Sequence, residues 1–275
     1  MRFRPAALAA AVLTTAALPA LMVPSAAQAQ EAEATVSVLH AVPDLTVDVY
    51  ANGEELLTDF EPGTLTDPLT LPADTYDLQV FPAGEGPDGD PAIETSDVKV
   101  PAGANATVVA HLSENGTPQL TPYVNDTSKV AAGEARLTVR HDAAAPAVDV
   151  RAGGEPVFTG LTNPNEDSAD LPAGSVSADV VLAGTDDVAI GPADLDLAEG
   201  THTIVYAWGS AEDDNLALAT QSIGGLHSAP AGVPAGETGL AAEGDGGVAP
   251  WAVGLAAAAT LGVALSGARL VRSRA

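Results

Sequence analysis

Two short runs of this sequence put a histidine, aspartates and a glycine turn close together. The first is HAVPDLTVDVYANG, His40 to Gly53; the second is HDAAAPAVDVRAGG, His141 to Gly154. Histidine beside carboxylates is the material of proton transfer and of metal ligation. That makes His40, Asp44 and His141 the candidate ligand-binding residues. A zinc site needs three or four ligands at set spacing. The chain has no cysteine and five scattered histidines, His40, His111, His141, His202 and His227, so no such set is visible. Calcium prefers hard oxygen ligands in a loop, and GEGPDGDPAIETSD gathers Asp88, Asp90, Glu94 and Asp97 around glycines. Those four are the candidate metal ligands and calcium the one cofactor suggested, although their spacing is not that of an EF-hand loop. Glycoside hydrolysis needs two carboxyls at a fixed separation; this sequence offers many acidic pairs and favours none. Nucleophile elbows, phosphate loops and His-Glu-x-x-His are all missing. No residue is singled out as catalytic or cofactor-binding, and the expectation is a non-enzyme.

The elements around the histidines give them a plainer role. His40 keeps phase with Val36 and Val38, and His141 with Leu137 and Val139, as inward residues of half-buried strands do. Each histidine ends its strand, where a ring can cap the edge of a core and bond the following loop. Asp48 and Asp149 alternate with valines, which predicts pairing with a neighbouring strand or exposure to water. Asn52-Gly53 suits a tight hairpin turn with positive φ. Tyr76, Leu78 and Val80 make another alternating strand, and Thr107 to Leu112 another.

The chain is also a tandem repeat. Val47–Glu54 aligns with Val148–Glu155 at an offset of 101, Leu71–Gly84 with Leu171–Gly184 at 100, and Val100–His111 with Leu197–Trp208 at 97. A period near 100 residues is two copies of a whole small domain. Turn residues every 8–12 positions predict all-β sandwiches. The first copy is expected over 35–126, the second over 135–224, joined by a short polar segment.

With the His…Val-Asp-Val…Gly and Leu-Pro-Ala blocks in view, the sequence resembles the bacterial exported family known as domain of unknown function 4397. The first copy carries His40-Ala41-Val42-Pro43-Asp44, Val47-Asp48-Val49-Tyr50, Gly53, Leu71-Pro72-Ala73 and Thr75-Tyr76. The second carries His141, Ala145 to Val150, Gly154 and Leu171 to Gly174. The resemblance implies an Ig-like or transthyretin-like antiparallel β-sandwich, present twice, and little chemistry. Copy two lacks the Pro-Asp pair and has Val176 where Tyr76 stands, so a function needing Asp44 or Tyr76 would reside in copy one.

The ends and the charge suggest a location. Arg2, Arg4, the apolar run Ala6–Val23 and Ala27-Gln28-Ala29 predict a signal peptide over 1–29. Residues 225–247, rich in Gly, Pro and acid, predict a flexible linker. Residues 248–268 carry no charge and, as a helix, reach about 31 Å, enough for one membrane span. The basic tail 269–275 would stay in the cytoplasm. Glu237-Thr238-Gly239 leaves attachment to the cell wall by sortase as an alternative. All 37 acidic residues fall between the two terminal segments, against Lys99, Lys129, Arg136, Arg140 and Arg151, which argues against nucleic acid as a partner. The expected protein is exported and membrane-anchored, with a structural, adhesive or interaction role toward envelope glycan or another surface protein; the oligomeric state is left open. A glycan- or calcium-dependent binding module is the alternative and a secreted hydrolase a third reading. A glycan module of the stacking kind calls for exposed aromatics drawn from Tyr50, Tyr123, Tyr206, Trp208 and the phenylalanines.

Overall fold

The structure, a computed structural model, describes residues 32–228. The expected signal peptide and membrane span lie outside these residues. Among the described residues no helix is long and apolar enough to cross a membrane.

The described residues form sixteen strands in two groups of eight. The first group is β1 (Glu33–Ala41), β2 (Val47–Ala51), β3 (Glu54–Phe60), β4 (Leu69–Pro72), β5 (Thr75–Pro82), β6 (Ile93–Lys99), β7 (Asn105–Leu112) and β8 (Pro118–Val124). The second is β9 (Glu134–Ala144), β10 (Val148–Ala152), β11 (Glu155–Leu161), β12 (Glu166–Pro172), β13 (Gly174–Leu182), β14 (Val188–Leu197), β15 (His202–Ser210) and β16 (Ala217–Ile223). The first group makes sheets β4-β1-β7-β8 and β3-β2-β5-β6; the second makes β12-β9-β15-β16 and β11-β10-β13-β14. The two orders are the same strand for strand. In each, the first strand runs parallel to the seventh, Val36 beside Ala106 and Thr138 beside Ile204.

Each pair of sheets closes on an apolar interior, giving two β-sandwiches. Val38 and Ala110 meet Val47, Val49, Phe60, Val80 and Ile93 in the first. Leu137, Val139 and Val205 meet Val148, Val150, Phe158, Val180 and Leu195 in the second. Val38, Val47, Val49, Val80, Leu137 and Val139 among them are alternating positions that the sequence marks, and burying each such side chain stabilises by about 1.5–3 kcal/mol. The two hairpins that follow the Val-Asp-Val motifs turn through Asn52 (φ 54°) and Gly53 (φ 79°), and through Gly153 (φ 59°) and Gly154 (φ 85°). Two successive positive φ angles belong to the primed turn that matches strand twist.

The sandwiches also pack on one another. Leu39, Ala41, Val109 and Tyr123 on the outer face of the first sandwich form one buried cluster with Ile204 and Tyr206 on the outer face of the second, with Trp208, Ala219 and Ile223 around it. Strands β1 and β9 are therefore buried on both faces. The connection is pinned as well. Val130 is fully buried, bridges to His227 and bonds Leu226 through its backbone, and Lys129 Nζ donates to the Gly225 carbonyl at 2.9 Å. The first residues of the expected flexible linker, Gly225 to Ser228, are thus fastened to the inter-sandwich segment.

Candidate functional site

The histidine–aspartate motifs are fixings of the fold. His40 lies fully buried, stacks on Phe60 with ring centroids 5.8 Å apart, and bonds through Nε2 to the Leu45 carbonyl at 2.5 Å. His141 Nε2 bonds the Pro146 carbonyl at 2.9 Å. Both rings reach five residues ahead, so each ties the β1–β2 or β9–β10 loop back to its strand end. Burial holds both rings below their ordinary pKa. Asp44, exposed at φ 59°, follows Pro43 and supplies the left-handed residue of that loop, a conformation Asp tolerates better than most side chains.

Asp48 and Asp149 neither pair across strands nor simply face water. Asp48 accepts from the backbone N–H of Asp59 at 2.8 Å through Oδ1 and from Gly84 at 2.8 Å through Oδ2. Asp149 accepts from Gly160 at 2.7 Å and Gly184 at 2.9 Å in the same way. Asp59 (φ 49°) and Gly160 (φ 65°) are left-handed residues at matching bulges of β3 and β11, where the strand leaves an N–H without a ladder partner. One carboxylate thus clamps a bulge and a loop at once. These two backbone bonds hold the Asp149 carboxyl below its usual range.

The candidate calcium ligands are spread along the surface. Asp88 ends a short 3-10 turn (Gly86–Asp88) and Asp90 follows it; both are exposed. Glu94 accepts from Gln79 Nε2 at 3.1 Å on β6, and Asp97 sits three residues on at φ 60°. Among the described residues no three His, Cys, Asp or Glu side chains come together as a metal set.

The concentration of buried polar chemistry is at the junction between the sandwiches, on residues the sequence did not single out. Arg140, 1% exposed, donates to Glu166 Oε2 at 2.7 Å, Tyr206 Oη at 2.8 Å and Asn125 Oδ1 at 2.8 Å. Its guanidinium lies 4.1 Å from the Tyr123 ring centre and 5.2 Å from that of Tyr206. Asn125 Nδ2 donates to Asn105 Oδ1 at 2.7 Å and Thr107 Oγ1 at 3.0 Å. Thr107 and Tyr206 hydroxyls both donate to Gln221 Oε1, at 2.9 and 2.5 Å. The network joins β7 and β8 to β9, β15 and β16, so it crosses the junction repeatedly.

Asp142 is the titratable centre of the same face. It is fully buried, and Oδ2 has no partner. Tyr123 Oη stands 2.7 Å from Asp142 Oδ1 and 2.8 Å from the Pro164 carbonyl. One phenolic hydrogen cannot serve two acceptors. A neutral Asp142 satisfies both contacts, its own O–H donating to Tyr123 while Tyr123 donates to Pro164. Burial pushes the Asp142 carboxyl up to about 7, consistent with that form. His111 Nδ1 donates to the Leu112 carbonyl at 2.9 Å, which leaves Nε2 to accept from Thr121 Oγ1 at 2.8 Å while facing Asp142 Oδ1 at 3.7 Å. Burial keeps His111 below its ordinary pKa, hence neutral.

The tyrosines expected for a stacking platform are committed elsewhere. Tyr123 and Tyr206 are buried in the junction, Tyr50 is 8% exposed against Phe81, and half-buried Trp208 packs on Gly63. Of the three Asn-x-Thr sequons, Asn105 and Asn125 are bonded to each other inside the network, and Asn115 is exposed in the β7–β8 turn.

No curated protein matches this chain. Residues 34–151, from β1 to Arg151 in β10, match the sequence model of the family described as Domain of unknown function (DUF4397).

Proposed function

We propose that the chain is an exported, membrane-anchored surface protein that displays two Ig-like or transthyretin-like sandwiches, the second a further copy of the same family domain, as one rigid unit. It serves as a structural or interaction module of the cell envelope, and its partner is envelope glycan or another surface protein. The observation that carries this reading is the sealed junction. Two sandwiches joined only for connectivity need a linker, whereas these bury an arginine, a carboxyl group and two tyrosine rings between them. Burying an arginine and a carboxyl group costs several kcal/mol unless their partners are held in place, so the arrangement specifies one geometry. Residues Gly225–Ser228 are bonded to Lys129 and Val130 in the segment that joins the sandwiches and, through Leu226, to Gly200 in the β14–β15 turn. The strongly acidic sequence, net charge −27, favours solubility and mutual repulsion of displayed copies.

The test is protease shaving of intact cells that express the full chain, followed by fractionation. The proposal expects the sandwiches to be digested from outside and the residual tail to stay with the membrane. Protection of the sandwiches in intact cells, or recovery of the whole chain in the medium, would overturn it.

A further inference from the structure

We propose that the groove along one side of the junction is a binding site for a neutral, hydroxyl-rich saccharide unit. This deepens the proposed function by choosing glycan as the class of partner, and it rests on the surface-module reading, which the shaving experiment tests separately. The groove encloses about 410 Å³ between the sandwiches, lined by Ser37 and Asn105 from the first sheet, Leu65 to Pro68 from the β3–β4 loop, and Thr220 to Gly224 from the end of β16. That volume is within the range of small-molecule sites, about 300–1,000 Å³.

What points to a ligand is the direction of the hydrogen bonds beneath it. Arg140 can only donate. It donates to Asn125 Oδ1, so the Asn125 amide nitrogen must face Asn105 and Thr107. Asn105 therefore turns Oδ1 inward and Nδ2 outward. Thr107 accepts from Asn125 and so gives its hydrogen to Gln221; Tyr206 accepts from Arg140 and does the same. Gln221, 8% exposed, thus has Oε1 fixed inward and Nε2 turned to the groove. Neither amide nitrogen has a protein acceptor among the described residues, and the nearly buried Ser37 hydroxyl has none either. These donors open on the groove, so a ligand oxygen there would exchange their hydrogen bonds with solvent for ones held by the protein.

The surroundings choose the ligand class. Asp67 at the rim accepts from hydroxyls and repels anions, and Leu65, Pro68 and Ile223 offer an apolar wall. Amide and hydroxyl donors beside one carboxylate suit a sugar ring whose hydroxyls both give and accept. With no aromatic face to stack on, binding rests on hydrogen bonds and falls in the millimolar range, about −4 kcal/mol.

The experiment is an NMR titration of the ¹⁵N-labelled full chain with glucose, N-acetylglucosamine and glucuronate, reading the side-chain NH₂ pairs of Asn105 and Gln221. The expected result is a saturable millimolar shift of both pairs with at least one neutral sugar. Gln221→Glu keeps the inward oxygen and replaces only the outward nitrogen, and it should weaken binding at least tenfold while the backbone spectrum stays dispersed. Asn105→Asp does the same from the other wall and serves where the first variant folds poorly. No saturable shift of these pairs with either neutral sugar overturns the proposal, as does binding unchanged in the folded variants. Tighter binding of glucuronate than of glucose overturns the neutral class.

Discussion

Replacing Arg140 by methionine removes the guanidinium that organises the junction while leaving an apolar side chain in the space. Its effect can be assembled from the contacts. Asn125 Oδ1, in a residue 3% exposed, loses its donor, at about 1–3 kcal/mol for an unsatisfied buried acceptor. The guanidinium 4.1 Å from the Tyr123 ring centre is desolvated, and such a cation–π contact is worth about 2 kcal/mol. Glu166, whose side chain is 38% exposed, regains water, so its loss is held to about 1 kcal/mol. Tyr206 keeps Gln221 as an acceptor and adds little. Relief of the arginine's own desolvation offsets part of this. The net expectation is a loss of about 3 kcal/mol, roughly a hundredfold in the folding equilibrium. Urea unfolding of the full chain followed by far-ultraviolet circular dichroism measures it, with Glu166→Gln as a control expected to cost about 1 kcal/mol or less. A loss below about 1 kcal/mol for Arg140→Met would refute the role given to the junction network.

Stability should fall on acidification below pH 6.5, because burial depresses the pKa of His40, His111, His141 and His202 and the unfolded chain then binds protons that the native one excludes. Asp142 acts in the opposite sense: with its folded pKa raised from 3.8 to about 7, its contribution is fully present below 3.8 and is lost as pH rises through 7. Asp142→Asn mimics the neutral acid, so relative to wild type it should gain stability from pH 5 to pH 8 and steepen the acid-side loss by up to about 1.4 kcal/mol per pH unit; a pH-independent difference would show that Asp142 is ionised throughout. Asp48→Ala frees two backbone N–H groups and should cost about 2–4 kcal/mol in thermal or urea unfolding, whereas a neutral effect would remove the clamp. Added calcium, or a chelator, should leave the thermal midpoint unchanged, and a rise of several degrees with calcium would reinstate a site near Asp88 to Asp97.

Much of the architecture was legible because the interior obeys period two. Val36, Val38 and His40, or Leu137, Val139 and His141, announce a strand with one apolar face, and the offset near 100 residues announces a second domain. The turn at Asn52-Gly53 followed from its need for positive φ. What the sequence concealed is the second buried face. Arg136, Thr138, Arg140 and Asp142 alternate with the apolar residues of β9 and look like a solvent face, yet all four are buried. Arg140 and Asp142 are covered by the other sandwich, and Arg136 and Thr138 by β12, β15 and the connecting segment; a strand pattern carries no mark of which neighbour will cover it. The available signal was compositional: two of the five basic residues between the terminal segments sit on that one strand. Asp48 and Asp149 were placed on the correct face, but their partners are backbone N–H groups 11 and about 35 residues away, in a bulge and a loop that side-chain periodicity does not reveal.

The central claim is that the two sandwiches are one rigid body. Residual dipolar couplings of the full chain in a weakly aligning medium test it most directly. The account predicts that couplings from residues 33–124 and 134–223 fit a single alignment tensor. Two tensors of different magnitude would contradict it, since they would show the sandwiches moving independently.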